Sequence, residues 1–237
     1  MNEKKQLTVD PDGKWIYRAG GIATFLLVIG YFLTFPLYAS AGIAPTGAEA
    51  RLIHYARHLT EWWGILGLMV FTDLLYILVW LALYQALKGI NRNMMLLALA
   101  FKGLFVVLDL AIMWTNHTAL FNLSSAYAAA TTDAQRALLV AAASAPSAVL
   151  DSFLVTIYII LFPSFGSLFA GFVMFKGIFS KGTAYLTLAI GITGILSVVD
   201  PLIFGPSDPM HIINALLATV WYLLVGWRLY QLGRQTN

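Results

Sequence analysis

The chain has 237 residues, of which 60% are hydrophobic and only 11% are charged, and its formal net charge is +3. Its mean hydropathy is +0.80, and a soluble domain would carry about 25% charged residues. This composition excludes a soluble globular domain and a disordered chain, and the small net charge indicates no nucleic-acid partner. Because the chain has no cysteine, disulfides and thiolate metal sites are also excluded. We therefore expect an all-α, polytopic membrane protein.

Six apolar segments are long enough to cross a membrane, since about 20 helical residues span roughly 30 Å of hydrocarbon. They predict one transmembrane domain over residues 1–237 that is a six-helix bundle. Spans 1 to 6 are predicted at about 15–38, 62–87, 94–116, 147–175, 183–204 and 209–230. The first apolar run is longer than the core of a signal peptide, and no convincing cleavage site follows it. We expect it to be a transmembrane helix.

The basic residues predict the orientation of these spans. With six spans, ten lysines and arginines fall on the side of the termini: Lys4, Lys5, Lys14, Arg18, Lys88, Arg92, Lys176, Lys181, Arg228 and Arg234. The opposite side has Arg51, Arg57 and Arg136. Because positive charge is enriched in cytoplasmic loops, we expect both termini in the cytoplasm. The opposite side is called the predicted outer side below.

Short and long links alternate between the predicted spans. The short links at 88–93 and 176–182 predict that spans 2 and 3, and spans 4 and 5, are antiparallel hairpins. Pro163 removes a backbone hydrogen bond in the middle of span 4, which predicts a kink. Small residues on the second hairpin predict close packing of its two helices, because they let backbones approach. These residues are Ser167, Gly171, Gly191 and Gly194.

Two of the outer links are long and carry signals for helices of their own. Thr46–Glu49 and Thr132–Gln135 both match the capping box, in which two side chains satisfy free backbone N–H groups. The first predicts a helix over 51–58 that leads into span 2. The second predicts a short amphipathic helix over 134–145 that Pro146 ends. We expect this helix to lie on the outer face of the membrane.

Three ionisable residues fall inside predicted spans 2 and 3, where each costs roughly 2.5–3.5 kcal/mol on insertion scales. Lys102 and Asp109 are seven residues apart, so they share one face of span 3. Asp73 lies at a depth between them on the antiparallel span 2. We expect an Asp73–Lys102–Asp109 cluster. Two interpretations stay open: a buried ion cluster that sets the register of the hairpin, or a proton relay or polar cavity floor.

Histidines and carboxylates are concentrated on the predicted outer side, where His54 and His58 share a helix face at i,i+4 spacing. The others are His117, His211, Asp151 and Asp200. Imidazole and carboxylate are ligands for zinc, iron, copper or manganese. One hypothesis is therefore a transition-metal site of His54, His58, His117 and Asp200. The alternative is that the histidines are interfacial or cap helices, without a ligand role.

The sequence around the first short link resembles one family. Leu83-Tyr-Gln-Ala-Leu-Lys-Gly-Ile-Asn-Arg92, followed by Leu96-Leu-Ala-Leu-Ala-Phe-Lys102, is similar to a group of bacterial six-helix membrane proteins known only as a domain of unknown function. In that group a Tyr-x-x-Leu-Lys-x-x-Asn-Arg turn leads into an alanine- and leucine-rich helix. Lys102 stands where that group has an arginine. The resemblance implies the fold and the cytoplasmic membrane of a prokaryote, but no activity.

Three classes of function follow from these patterns. The first is binding or transport of a small or amphiphilic molecule in an outward-opening polar pocket of Asp73, Lys102, Asp109, Asp151 and His211. The second is a structural or regulatory subunit of a larger membrane complex. The third is a metal-dependent membrane enzyme with an outer-face His/Asp site. The expected partners are the lipid bilayer, a small-molecule or lipid ligand, and a membrane protein or a second copy of the chain. No residue is singled out as catalytic.

Overall fold

The computed structural model describes residues 13–204 and 209–234, and these residues form helices without a sheet. The helices are α1 (Lys14–Ala41), α2 (Ala48–Arg57), α3 (Leu59–Leu108), α4 (Thr115–Ala129), α5 (Asp133–Leu150), α6 (Phe153–Thr156), α7 (Phe162–Met174), α8 (Lys181–Phe204) and α9 (Pro209–Arg234). Two π-helical stretches, Asp109–Trp114 and Ile157–Leu161, connect α3 to α4 and α6 to α7. The all-α prediction is confirmed for this part of the chain.

Five continuous helical stretches are long and apolar enough to cross a membrane. They are Lys14–Ala41, Leu59–Ala129, Phe153–Met174, Lys181–Val199 and Ile212–Arg234. Their length and hydropathy establish a chain with several membrane-spanning helices.

The second stretch is too long for a single crossing. Its 71 residues would extend about 107 Å at 1.5 Å per residue, more than three times the hydrocarbon thickness. Asn91 interrupts it with non-helical backbone angles of φ −150° and ψ 93°. The Asn91 side chain then accepts a hydrogen bond from the Met94 N–H at 3.1 Å, which starts the next helix. The break lies inside the link predicted at 88–93.

Ring contacts show how the two halves of α3 pack. Tyr76 contacts Phe105 with ring centroids 5.6 Å apart, and the Lys102 Nζ lies 4.3 Å from the Trp80 ring centroid. As the residue number rises on one side, it falls on the other. The two halves are therefore antiparallel, as predicted for spans 2 and 3.

The chain divides into two compact units. The first contains Met1–Val28, Asp73–Val106 and Ile159–Asn237. Within it, α7 and α8 approach closely at glycines, as predicted for the second hairpin. A Cβ on Gly191 would lie 2.6 Å from a Leu168 methyl carbon and 2.9 Å from the Ser164 carbonyl oxygen. A Cβ on Gly171 would lie 2.7 Å from Leu188.

The second unit contains Ile29–Thr72 and Val107–Tyr158. Its core is built from large side chains of α2, α3, α4 and the first π-helical stretch. Tyr55, Trp62, Trp114 and Phe121 are among the buried members of this core. The helix α5 contributes Ala143 to this core, and most of its other residues are exposed.

The two predicted capping boxes have different outcomes. The second is confirmed: Thr132 Oγ1 accepts from the Gln135 N–H at 3.2 Å, and Gln135 Oε1 accepts from the Thr132 N–H at 3.4 Å. The first is wrong, because α2 begins after Gly47 (φ 87°) without a side-chain cap. Glu49 instead accepts a hydrogen bond from the Tyr127 hydroxyl at 3.0 Å.

The predicted end of the outer helix at Pro146 is also wrong, because α5 continues to Leu150. Proline removes one N–H, but Arg51 holds the last turn by donating to the Ser147 carbonyl at 2.8 Å. The predicted start of span 4 at residue 147 is therefore too early. The apolar stretch begins at Phe153 in α6, which Ser152 caps. Pro163 stands in the first turn of α7 after a π-helical stretch, where its missing N–H is tolerated.

We expect Gly191→Ala to destabilise the protein by about 1–3 kcal/mol, because the added methyl would overlap Leu168 and the α7 backbone. Gly103→Ala is the matched control, since a Cβ there meets nothing within 4 Å. It should be neutral or stabilise by up to about 1 kcal/mol through the lost flexibility of glycine. Thermal unfolding in detergent measures both, and equal midpoints for the two variants would contradict the close helix contact.

Candidate functional site

A buried lysine lies in the first unit. Lys102 is 4% exposed and belongs to α3. Its Nζ donates to Ser167 Oγ of α7 at 2.8 Å and lies 4.3 Å from the Trp80 ring centroid and 5.4 Å from that of Tyr76. A desolvated cation over aromatic faces gains about 2 kcal/mol or more per contact. We call Lys102, Ser167, Trp80 and Tyr76 the lysine cage.

Neighbouring residues hold the lysine cage in place. Trp80 stacks on Trp221 of α9, with centroids 5.7 Å apart and planes 19° apart. Trp221 Nε1 in turn donates to Thr187 Oγ1 of α8 at 2.6 Å. Gly166 leaves room for the lysine stem, because a Cβ there would lie 2.8 Å from two of its carbons. Side chains from α3, α7, α8 and α9 therefore form or support the lysine cage.

One polar atom of the lysine cage has no hydrogen-bond partner. Among the described residues, nothing accepts a hydrogen bond from the buried Nε1–H of Trp80. A buried donor left in this state costs about 1–3 kcal/mol. Such groups are rare in folded proteins and call for a specific explanation.

The three residues of the predicted Asp73–Lys102–Asp109 cluster do not all belong to the same unit. Asp73 is 5% exposed and belongs to the same unit as Lys102. Asp109 belongs to the other unit, where its Oδ2 accepts from Trp114 Nε1 at 2.8 Å. Both lie in the π-helical stretch, whose wider turns align residues five apart. The three-residue cluster itself stays a prediction.

Asp151, a predicted binding residue, is paired with an arginine that the sequence analysis left unassigned. Arg51 Nη2 donates to Asp151 Oδ1 at 2.5 Å, and Nη1 donates to Oδ2 at 3.2 Å. Bidentate contacts between arginine and a carboxylate are among the stronger ion pairs. Arg51 is 6% exposed and shares a helix face with buried Tyr55, a spacing that could have indicated its burial.

Two histidines of the predicted outer side, His54 and His117, form side-chain hydrogen bonds inside the second unit. His117 Nδ1 lies 2.9 Å from the Tyr55 hydroxyl, and its ring stacks on Trp62 with centroids 5.7 Å apart. His54 Nε2 accepts from Trp62 Nε1 at 3.2 Å, and the His58 ring centroid lies 5.4 Å from that of His54.

Their surroundings affect two ionisable groups of α2. Burial lowers the pKa of His54, and electrostatic repulsion from His58 and Arg57 lowers it further. Burial also raises the pKa of the Tyr55 hydroxyl. Both groups are thus neutral near pH 7, the state in which His54 can accept the hydrogen bond of Trp62.

Only part of the predicted metal site lies among the side chains that the structure describes. Within residues whose side chains are described, no three histidine or carboxylate groups lie close enough together to hold a metal ion. The side chains of Asp200 and His211 lie outside the described residues. His54, His58 and His117 therefore contribute aromatic and hydrogen-bond contacts, and a metal site that includes Asp200 stays a hypothesis.

We expect Arg51→Met to lower the free energy of unfolding by about 2 kcal/mol, since it removes the guanidinium that pairs with the Asp151 carboxylate and donates to the Ser147 carbonyl. The partial exposure of Asp151 keeps the loss below that of a fully buried pair. Arg57→Met, at an exposed position of the same helix, should change it by less than about 0.5 kcal/mol. Denaturant unfolding compares the two, and a loss of equal size in both would show that the pair contributes nothing.

The lowered pKa of His54 predicts a pH dependence. The His54 imidazole binds a proton at a higher pH in the unfolded chain than in the folded chain. The stabilisation that neutral His54 provides is therefore fully present above a pH of about 6.5. It declines as the pH falls below that value toward the folded pKa, because protonation removes the acceptor for Trp62. The midpoint of thermal unfolding, measured from pH 8 to pH 5, should fall more in the wild type than in His54→Gln. Superimposable curves would refute this role for His54.

Comparisons with known proteins give no relative from which to transfer a function. No family model, curated protein or solved structure matches the chain. The resemblance stated for residues 83–102 therefore stays an expectation, and the case for function depends on the sites themselves.

Proposed function

We propose that the chain is a six-span membrane protein that binds or transports a small or amphiphilic molecule at the lysine cage. Six spans follow if the helical stretch Leu59–Ala129 crosses twice, with its turn at Asn91. An even number of spans puts both termini on one side, and the ten basic residues on that side favour the cytoplasm. The remaining basic residues of the links, Arg51, Arg57 and Arg136, then lie on the outer side.

The observation that carries the binding proposal is the pair of donors in the lysine cage. An ammonium group has three N–H donors, and the contact to Ser167 uses one of them. The Trp80 Nε1–H beside it has no acceptor among the described residues. Two adjacent donors within apolar helices suit a ligand that has a carboxylate, phosphate or carbonyl oxygen.

The cost of a buried lysine supports a role beyond packing. Ionisable residues inside membrane helices are rare and usually belong to substrate or ion pathways. A methionine at position 102 would fill similar space without a charge, a donor or a desolvation penalty. The proposed ligand therefore combines an acceptor group for Lys102 and Trp80 with an apolar body that matches the surrounding helices.

A structural role is the second candidate, and it has its own supporting observation. The contacts of Lys102 with Trp80 and Ser167 join the two halves of α3 to α7. In that case the ammonium fixes the register of these helices and binds no ligand.

Native mass spectrometry of protein extracted gently from its own membrane tests the proposal. We expect the wild type to retain one organic molecule of defined mass and Lys102→Met to lose it, because the substitution removes the charged donor. Lys181→Met is the matched control at an exposed lysine and should retain the molecule. Ser167→Ala, which removes only the hydroxyl partner, should reduce occupancy and serves if Lys102→Met does not fold.

Three outcomes would contradict the proposal. A folded Lys102→Met protein with full occupancy would remove Lys102 from the binding site and favour the structural role. A stoichiometric polypeptide in place of a small molecule would favour a subunit of a larger complex. A stoichiometric transition metal, measured by elemental analysis, would favour the metal-dependent enzyme.

A further inference from the structure

An open groove lies on the second unit, and none of the residues that line it belongs to a site predicted from the sequence. Its volume is about 540 Å³, within the range of about 300–1,000 Å³ that is usual for small-molecule sites. Its lining comes from three helices, α2, α4 and α5: Glu49, Tyr127, Asp133, Arg136, Ala137, Val140 and Ala141. We call it the α5 groove.

One wall of the α5 groove is a single face of α5. Asp133, Arg136, Ala137, Val140 and Ala141 follow the i, i+3, i+4, i+7, i+8 spacing of such a face. The capping box at Thr132 determines where α5 begins, and thereby where Asp133 and Arg136 stand. The charged groups are at one end of this face, and small apolar side chains form the rest.

The opposite wall places a carboxylate and a phenol side by side. Tyr127 Oη of α4 donates to Glu49 Oε1 of α2 at 3.0 Å, which orients both groups. Arg136 Nη2 donates to the Ala130 carbonyl at 3.4 Å, close to the end of α4. Two of the charged side chains in the groove, Glu49 and Arg136, are therefore each oriented by a hydrogen bond.

The charges of the α5 groove have opposite signs. Glu49 and Asp133 are carboxylates that attract an ammonium group, and the Tyr127 ring adds a cation–π surface. Arg136 presents a guanidinium, whose planar fork matches a carboxylate or a phosphate. A ligand with a single charge would meet a like charge in the groove, whereas a zwitterion would find a partner of opposite charge for each of its two groups.

We propose that the α5 groove binds a zwitterion that has an ammonium group and a phosphate or carboxylate group. Glu49 and Asp133 pair with the ammonium, Arg136 pairs with the anionic group, and Ala137, Val140 and Ala141 contact the carbon atoms between or beyond them. A free zwitterionic metabolite and a zwitterionic lipid headgroup share this chemistry. The site is separate from the lysine cage, so the inference does not depend on the proposed function.

Two probes distinguish these sources. O-phosphoethanolamine, titrated into purified protein in detergent and followed by calorimetry, tests the free zwitterion. Nanodiscs with or without phosphatidylethanolamine, followed by native mass spectrometry, test the lipid headgroup. Saturable binding of the soluble probe supports a free ligand, and lipid retention without soluble binding supports the headgroup. Ethanolamine and inorganic phosphate, each half of the probe, should bind at least tenfold more weakly.

Substitutions at exposed positions of the groove make the test specific. Arg136→Gln and Glu49→Gln should each weaken binding about tenfold, because each removes one charge while an amide keeps the shape. Arg57→Gln, an exposed arginine of α2 outside the groove, should leave binding unchanged. Absence of binding in both formats, or binding that both groove variants leave intact, would overturn the proposal.

Discussion

The cost of placing charged and polar groups among apolar helices is the constraint on which this structure depends. Because 60% of the residues are hydrophobic, a charged group that is buried between the helices has few side chains around it that can replace water. Lys102 is accommodated by one hydroxyl and two aromatic rings, and Arg51 by a carboxylate and a carbonyl. These two residues lie in different units, yet both draw together helices that are far apart in sequence.

Backbone features at specific positions make those arrangements feasible. Gly166 leaves space for the stem of Lys102, where any larger residue would collide with it. The π-helical stretch Asp109–Trp114 aligns residues five apart, so that the indole of Trp114 donates to the carboxylate of Asp109. In one case a missing side chain and in the other a π-helical turn allows a buried ionisable side chain to be accommodated.

Local and non-local interactions explain which sequence predictions succeeded. The Thr132 capping box depends on residues three apart, and the structure contains it as predicted. At Thr46 the matching pattern failed, since α2 begins after Gly47 and Glu49 accepts a hydrogen bond from Tyr127, which is 78 residues away. Pro146 likewise failed to end α5, because Arg51, 96 residues from Ser147, supports the last turn. A helix boundary can thus be set by a partner that no local pattern reveals.

The sequence by itself determined the membrane class, the apolar helices, the turn near Asn91 and the close packing of α7 on α8, because composition and short-range spacing encode these features. It also identified the ionisable residues Asp73, Lys102 and Asp109, which the structure buries. Only the tertiary structure decided their surroundings: Ser167 and Trp80 for Lys102, Arg51 for Asp151, and Tyr55 for His117. No sequence pattern predicted the α5 groove, since Glu49, Tyr127 and Arg136 come together only when three helices pack. Contacts between distant helices depend on how faces are oriented in space, and spacing along the chain does not specify that orientation.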